Sequence, residues 1–288
     1  MEASLSQNPM IVRSVADLRR QVAAWRAEGS RIALVPTMGA LHEGHLSLVR
    51  LGLSHADRVV ASIFVNPAQF APHEDFDAYP RGEGRDAALL GEAGCQLIFA
   101  PPVQVMYPPG FSTQVAVTGV SAPLEGQKRP QFFGGVATVV SKLLIQCAPD
   151  VALFGEKDYQ QLLVIRRMAA DLDLPVEIIA GPTLREPDGL AMSSRNAYLT
   201  PQERAVAATL PAEMARAVAR LKAGEPAMTA EADAIAALQA AGFGPVDYVQ
   251  AHDGQTMERP GPEAVPPGAR LFVAAWLGKT RLIDNWPI

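Results

Sequence analysis

RIALVPTMGALHEGH, residues 31–45, decides how the rest of the chain is read. Its first five residues form a short apolar run ended by a turn, and beyond it apolar residues recur at Leu46, Val49 and Leu53, the spacing of one helix face. A strand therefore hands over to a helix through PTMGALHEGH (36–45). At such a turn the first N–H groups of the helix lack intrahelical partners and the positive end of the dipole faces outward, so an anion such as phosphate is attracted there. Gly39 and Gly44 let the backbone come close to a ligand, and His42 and His45 can aim imidazole N–H donors at one phosphate. A plainer reading of each residue also stands, because glycines commonly serve only the turn and a single histidine is commonly a satisfied side chain. A zinc-binding helix needs its second histidine at i+4, where Leu46 stands, so that reading lacks ligands.

Outward from this stretch the signals alternate. Ser14 with Asp17 three residues on reads as a helix cap, Val15, Leu18, Val22 and Trp25 form a helical stripe, and Gly29 ends it. Residues 58–65 (RVVASIFV), 96–100 (QLIFA), 151–154 (VALF) and 176–180 (VEIIA) are short runs apolar on both faces and separated by helical stretches. Strands buried on both sides imply a parallel sheet covered by helices, a Rossmann-like doubly wound α/β domain. Ligands of such sheets lie beyond the carboxyl ends of the strands. The segments that follow the strands are polar: Asn66 and Gln69 after the second, Gly155 to Gln161 after the fourth, and GPTLREPDGLAMSSRN after the fifth. Asn66 and Gln69 offer neutral donors and acceptors, Lys157 a mobile point charge for phosphate, and Asp158 an acceptor for ribose hydroxyls. Ser193, Ser194 and Arg195 add two hydroxyls and a fork that fits phosphate. Singly, these residues are ordinary turn formers and solvated charges; they gain meaning by falling at one end of one sheet.

With 288 residues the chain exceeds the usual single domain, so two are expected: residues 1–182 as the Rossmann-like domain and 183–288 as a smaller α+β lid carrying the MSSR loop. Pro201 opens a helix, alanine-rich helices run to about Ala241, and strands are expected at 246–251 and 271–277. The proline-rich stretch 258–268 reads as an exposed loop without assigned function. A net charge of -5, with lysines and arginines scattered, argues against a nucleic-acid surface. No run approaches the roughly 18 apolar residues of a membrane span, and MEASLSQNPMIVRSV lacks the basic and apolar regions of a secretory signal, so a cytoplasmic protein is expected. Cys95 and Cys147, without CxxC spacing, read as reduced, buried thiols.

Seven stretches in one order carry a resemblance: PTMGALHEGH (36–45), FVNPAQF (64–70), AYPR (78–81), GVATVVSKL (135–143), FGEKDYQQL (154–162), DGLAMSSRN (188–196) and GKTRLIDN (278–285). Over nearly its whole length the chain resembles the pantoate–beta-alanine ligase (pantothenate synthetase) family, nucleotidyltransferases with paired HxGH-like and KMSKS-like motifs. The resemblance implies that ATP and pantoate give pantoyl adenylate and pyrophosphate, and that the amine of beta-alanine then releases AMP and pantothenate. It also implies a homodimer, with Mg²⁺ accompanying ATP. Carried over residue by residue, Met38, Gly39, Ala40, Leu41, His42, Glu43, Gly44 and His45 contact ATP, with His45 the proton donor. Lys157 neutralises charge as pyrophosphate leaves, Gly155, Glu156 and Asp158 line the nucleotide, and Leu184 meets adenine through its backbone. Met192, Ser193, Ser194 and Arg195 close over the triphosphate; Gln69 and Gln161 grip pantoate, Gln69 also lies near beta-alanine, and Asn66 is a further substrate-binding candidate.

Two positions depart from the family pattern. Phe132 stands where a histidine is expected, and Asp86 is the lone acid where adjacent acids are usual, leaving it as the candidate protein partner for Mg²⁺. The competing readings are a related nucleotidyltransferase and a noncatalytic ATP sensor.

Overall fold

In the computed structural model the sequence builds β1 (Met10–Val12), α1 (Val15–Ala27), β2 (Ile32–Thr37), α2 (Glu43–Leu53), β3 (Arg58–Ile63), α3 (Glu83–Glu92) and β4 (Leu97–Phe99). There follow α4 (Val103–Met106), α5 (Glu125–Lys128), α6 (Phe132–Cys147), β5 (Val151–Gly155), α7 (Tyr159–Asp171) and β6 (Glu177–Gly181). The structure describes residues 8–70, 76, 79, 81–261 and 265–288. The opening residues 1–7, Ala78 and Pro80 of the AYPR run, and 262–264 of the proline-rich stretch lie outside the described residues.

The six strands form one parallel sheet in the order β1-β4-β3-β2-β5-β6, the doubly wound arrangement expected from the sequence. Ala33, Val35, Val59, Ala61, Ile98, Val151 and Leu153 share one face and pack with Leu46 and Val49 of α2 and Leu90 of α3. Period-two alternation sends the equally buried Ile32, Leu34, Val60, Leu97 and Phe99 to the other face, the side on which α6 contacts β2 and α1 contacts α6. Ser14 caps α1 by accepting from the Asp17 N–H, and Gly29 follows the helix at φ 84°. Strand β1 is not legible in the sequence because three residues show no period. Cys95 and Cys147 are free and buried, and burial pushes the two thiols up to about 11 and about 12 respectively, so both stay protonated.

The order reverses at β2: the chain moves outward through β3 and β4, then returns to place β5 beside β2, with Ala33 opposite Val151 and Leu34 opposite Ala152. A crevice opens at such a reversal beyond the carboxyl ends of the two strands. The turn after β2 and the residues after β5 are therefore the places to look for chemistry.

The chain divides into two compact units. The first runs through Val117 and adds Arg129–Glu156 and Val164–Gly181; the second gathers Thr118–Lys128, Lys157–Leu163 and Pro182–Ile288. In the second unit α8 (Pro201–Ala207), α9 (Thr209–Lys222) and α10 (Ala227–Ala240) precede β7 (Val246–Asp253), β8 (Ala269–Leu277) and β9 (Thr280–Pro287), an antiparallel three-stranded sheet. Pro201 opens α8 behind a Thr200–Glu203 capping box. Leu210, Met214, Leu238, Leu271, Val273 and Leu277 belong to one helix-on-sheet core. Strand β9 is legible only as a motif, since GKTRLIDN alternates weakly; its pairing with β8 through a Gly278 turn makes it a strand.

The two excursions are held to this sheet by a second cluster, Leu124, Leu163, Tyr248, Met257, Phe272 and Ala274, and by a buried ion network. The Arg281 guanidinium donates to both oxygens of Glu125, at 3.0 and 2.6 Å, and through Nε to Asp247 at 2.7 Å. The Tyr248 hydroxyl donates to Glu125 at 2.6 Å. Burial, reinforced by the Glu125 charge, raises the Tyr248 phenol well above its ordinary range. Burial opposes the Arg281 charge most strongly, but Glu125, Tyr248 and Asp247 together outweigh it and hold the guanidinium protonated. Removing one partner of such a pair leaves an uncompensated buried charge, which costs about 3–5 kcal/mol. Arg281→Met is expected to lower the urea unfolding free energy by about that much. Adding Glu125→Gln to it should recover part of the loss, because an amide carries no charge to desolvate.

Candidate functional site

The turn after β2 is left-handed at two successive residues, Gly39 (φ 82°) and Ala40 (φ 53°). An alanine in that region costs about 1–2 kcal/mol, so something must hold it. The Asp86 carboxylate does: Oδ2 accepts from the Ala40 N–H and Oδ1 from the Leu41 N–H, both at 2.9 Å, with Asp86 only 2% exposed. Two hydrogen bonds to a charged acceptor, each worth roughly 1.5–3 kcal/mol, outweigh the strain of one alanine. Thr37 completes the fastening, accepting from the Gly39 N–H at 3.2 Å and donating to the Ser62 carbonyl at 2.7 Å.

The histidines then cap α2 reciprocally. His42 Nδ1 accepts from the Gly44 N–H at 3.2 Å, and His45 Nδ1 accepts from the His42 N–H at 3.4 Å, the pattern usually built from serine and glutamate. The rings lie 4.2 Å apart between centroids. Because each Nδ1 is an acceptor, the neutral rings carry their proton on Nε2, so both imidazoles are set as Nε2–H donors. This modifies the sequence expectation. The N–H groups of Gly39, Ala40, Leu41, His42 and Gly44 are all taken by side chains of the protein, and the directed donors of this turn are imidazoles rather than a row of backbone amides. Glu43 engages Arg50 across α2, and the guanidinium holds its carboxyl below the ordinary range.

After β3, Asn66 caps a short turn, Pro67–Gln69. Its Oδ1 accepts from the Tyr107 hydroxyl at 2.7 Å and the Ala68 N–H at 3.3 Å; its Nδ2 donates to Gln69 Oε1 at 2.8 Å and the Gly135 carbonyl at 3.1 Å. Asn66 is thereby engaged at every position and 1% exposed, so in this geometry it orients Gln69. With Oε1 occupied, Gln69 presents its Nε2 hydrogens, suited to a carboxylate. Burial pushes the Tyr107 phenol up to about 12, keeping it a donor to Asn66. Gly135 allows the approach of α6, since a Cβ there would meet the Ala68 carbonyl oxygen at 2.2 Å. Arg129 donates to the Gln69 carbonyl at 3.1 Å with its guanidinium 3.9 Å above the Phe132 ring. Phe132, standing where a histidine is expected, thus supplies a π-face that steadies Arg129.

Gly155 ends β5, the neighbour of β2, and Glu156 follows it within the first unit; Lys157, Asp158 and Gln161 belong to the second. The Lys157 ammonium lies 3.7 Å from Asp158, and its carbonyl accepts from Asn285 at 2.9 Å. Of the two adjacent glutamines, Gln160 is buried and bound to the backbone of Val120, Pro123 and Glu125, whereas Gln161 is partly exposed on the first turn of α7. Leu184 and Met192 meet in one hairpin, the Met192 N–H donating to the Leu184 carbonyl at 3.0 Å. Arg185 fastens that hairpin to β9 through both oxygens of Asp284, at 2.6 and 3.0 Å, with its guanidinium 4.3 Å above Trp286. Ser193 caps the turn Ser194–Tyr198 by accepting from the Arg195 N–H. The GKTRLIDN stretch is in this sense a fastener, holding the Lys157 segment through Asn285 and the 184–192 hairpin through Asp284.

A cavity of about 250 Å³ opens beside the left-handed turn, lined by Met38, Gly39, Ile63, Phe64, Arg81 and Asp86 among others. Met38 and Gly39 of the expected nucleotide contacts line it, whereas neither histidine nor Gln69 does.

The pantoate–beta-alanine ligase family model matches residues 10–287, essentially the whole described chain. The chain belongs to the pantoate–beta-alanine ligase family. It is 64% identical to the pantothenate synthetase of Caulobacter vibrioides over 282 residues, 98% of this chain and 99% of the relative. With that of Rhodospirillum rubrum the identity is 59%, over 96% of this chain and 97% of the relative. The crystal structure of pantothenate synthetase from Thermus thermophilus superposes with a TM-score of 0.90 at 45% identity, covering 96% of this chain and 99% of that one. A pantoate–beta-alanine ligase from Francisella tularensis, complexed with beta-gamma ATP and beta-alanine, gives 0.81 at 31% identity, covering 97% of each. These solved relatives share the parallel sheet and the small antiparallel one of the present ligase.

Sequence reading singles out the histidines, Gln69 and Lys157 as candidates but not the residues that hold them. Asp86 lies 45 residues from the Leu41 N–H it accepts, and Gly135 lies 69 residues from Asn66, so no local spacing announces either. Gly135→Ala is expected to cost roughly 2 kcal/mol or more in unfolding experiments, because backbone must move to admit the methyl. With the Gln69 turn displaced, the Michaelis constant for pantoate should rise about tenfold, or ~1.4 kcal/mol, with a smaller change for ATP.

Proposed function

We propose that this ligase joins pantoate to beta-alanine in two steps through a pantoyl adenylate. A carboxylate oxygen of pantoate attacks the α-phosphorus of ATP, and the bond to pyrophosphate breaks. The amine of beta-alanine then attacks the activated acyl carbon, and AMP leaves as the amide forms. The observation that carries the reading is the pair of imidazoles set as Nε2–H donors at the carboxyl end of β2, in a chain matched by the ligase family from residue 10 to 287. The Francisella relative, complexed with beta-gamma ATP and beta-alanine, supports ATP and beta-alanine as ligands here.

In this proposal His42 and His45 donate to phosphate oxygens as negative charge develops, His45 being the proton donor, and Lys157 and Arg195 offset the charge of departing pyrophosphate. Preorganised donors of this kind act without rearranging at the moment of reaction. The Met38–His45 stretch, Gly155, Glu156, Asp158, Leu184, Met192, Ser193 and Ser194 bind the nucleotide. Gln69, its amide turned by Asn66, and Gln161 bind pantoate. The second step gains mainly from proximity, an activated acyl group held beside an amine with water excluded.

Mg²⁺ is expected to accompany ATP. The candidate acid Asp86 does not fit as its ligand, since both its oxygens accept backbone N–H groups and the side chain is buried, so no step is assigned to the ion. The proposal also takes the ligase to be a cytoplasmic homodimer; among the described residues no helix is long and apolar enough to cross a membrane.

Incubation with ATP, Mg²⁺, pantoate and beta-alanine should release AMP only when both acids are present. ADP in place of AMP would overturn the adenylate route, and a nucleotide retained on the product would favour a related nucleotidyltransferase. Tight ATP binding without turnover would favour a sensor. His45→Ala and Lys157→Ala should each lower kcat by about 10² to 10³, the usual cost of one preorganised electrostatic contact.

A further inference from the structure

Asp86 stands apart from the other charged groups of the first unit. It sits in the first turn of α3, it is 2% exposed, and its two oxygens each take one of two consecutive N–H groups, Ala40 and Leu41, at 2.9 Å. Those N–H groups belong to the left-handed pair that leads directly into the His42–His45 cap. An ideal Cβ at Gly39 would lie 3.0 Å from Asp86 Oδ2, so the carboxylate also fills the space beneath the turn. Among the described residues neither N–H has another acceptor, so the hydrogen bonding of the backbone at Ala40 and Leu41, the middle of the turn, depends on this one side chain.

We propose that Asp86 is a positioning residue for adenylation. It acts through the backbone of residues 39–42, fixing the turn that aims the two imidazoles, and touches neither substrate nor metal. The inference rests on the adenylate route proposed above and deepens it, because it assigns Asp86 to the first step alone. An amide in its place keeps the volume but offers one acceptor and one donor to two N–H groups, so one of them faces a like donor and the turn shifts.

The test separates the two half-reactions. In Asp86→Asn, pantoate-dependent exchange of pyrophosphate into ATP should fall at least tenfold, whereas release of AMP from supplied pantoyl adenylate and beta-alanine should stay within twofold of the unmodified ligase. The Mg²⁺ concentration for half-maximal exchange should not move. Equal losses in both half-reactions would overturn the proposal in favour of general destabilisation, and recovery of exchange at high Mg²⁺ would overturn it in favour of a metal ligand. Unchanged exchange would overturn it outright. Should the variant fail to fold, amide hydrogen exchange on the unmodified protein still decides: the Ala40 and Leu41 amides should exchange slowly, and fast exchange at both would sink the proposal. Absence of pyrophosphate exchange in the unmodified ligase would instead count against the adenylate route.

Discussion

The turn after β2 is a strained piece of backbone held by side chains, and the arrangement of the first unit follows from holding it. Ala40 occupies a region that L-residues avoid, and Asp86, Thr37 and the two imidazoles take up the N–H groups that the strain exposes. The consequence for chemistry is direct. In the proposed adenylation a phosphate at this turn meets ring N–H donors whose tautomer is set by the cap, so its recognition rests on two side chains that can also carry a proton. A row of backbone amides can bind an anion but cannot exchange a proton with it.

The same economy recurs in the turn after β3. Gln69 has no fixed orientation of its own, but Asn66 occupies its oxygen and Tyr107 in turn occupies Asn66. A buried chain of this kind leaves one outcome for each amide, since reversing any member would set donor against donor. Gly135 makes it possible by omitting the one carbon that would keep α6 away from the turn. Arg129, stacked on Phe132, adds a bond to the Gln69 carbonyl and shows how an aromatic ring stabilises a cation where an imidazole would have offered a donor.

In the second unit positioning falls to ion pairs. Glu125 with Arg281 ties one excursion of the chain to β9, and Asp284 with Arg185 ties the 184–192 hairpin to the same strand. Bidentate arginine–carboxylate contacts suit this task, because the planar fork fixes direction as well as distance. Strand β9 is consequently the piece of chain on which the Leu184, Met192 and Lys157 segments depend for their backbone placement.

The sequence alone determined what repeats locally. Apolar runs and their spacing specified five of the six parallel strands, the helix caps at Ser14 and Thr200 follow short-range rules, and the chemistry-bearing residues fell after strands because a doubly wound sheet exposes those ends. What only the tertiary structure decided are the contacts that join residues distant in the chain: Asp86 on Ala40 and Leu41, Gly135 on Asn66, Glu125 on Arg281. It also showed both Asp86 oxygens taken by the Ala40 and Leu41 N–H groups, and Asn66 engaged at every hydrogen-bonding position and holding the Gln69 amide. The physical reason is that a polar side chain's role is set by which donors and acceptors remain after its buried neighbours are satisfied, and that count exists only once the chain has folded.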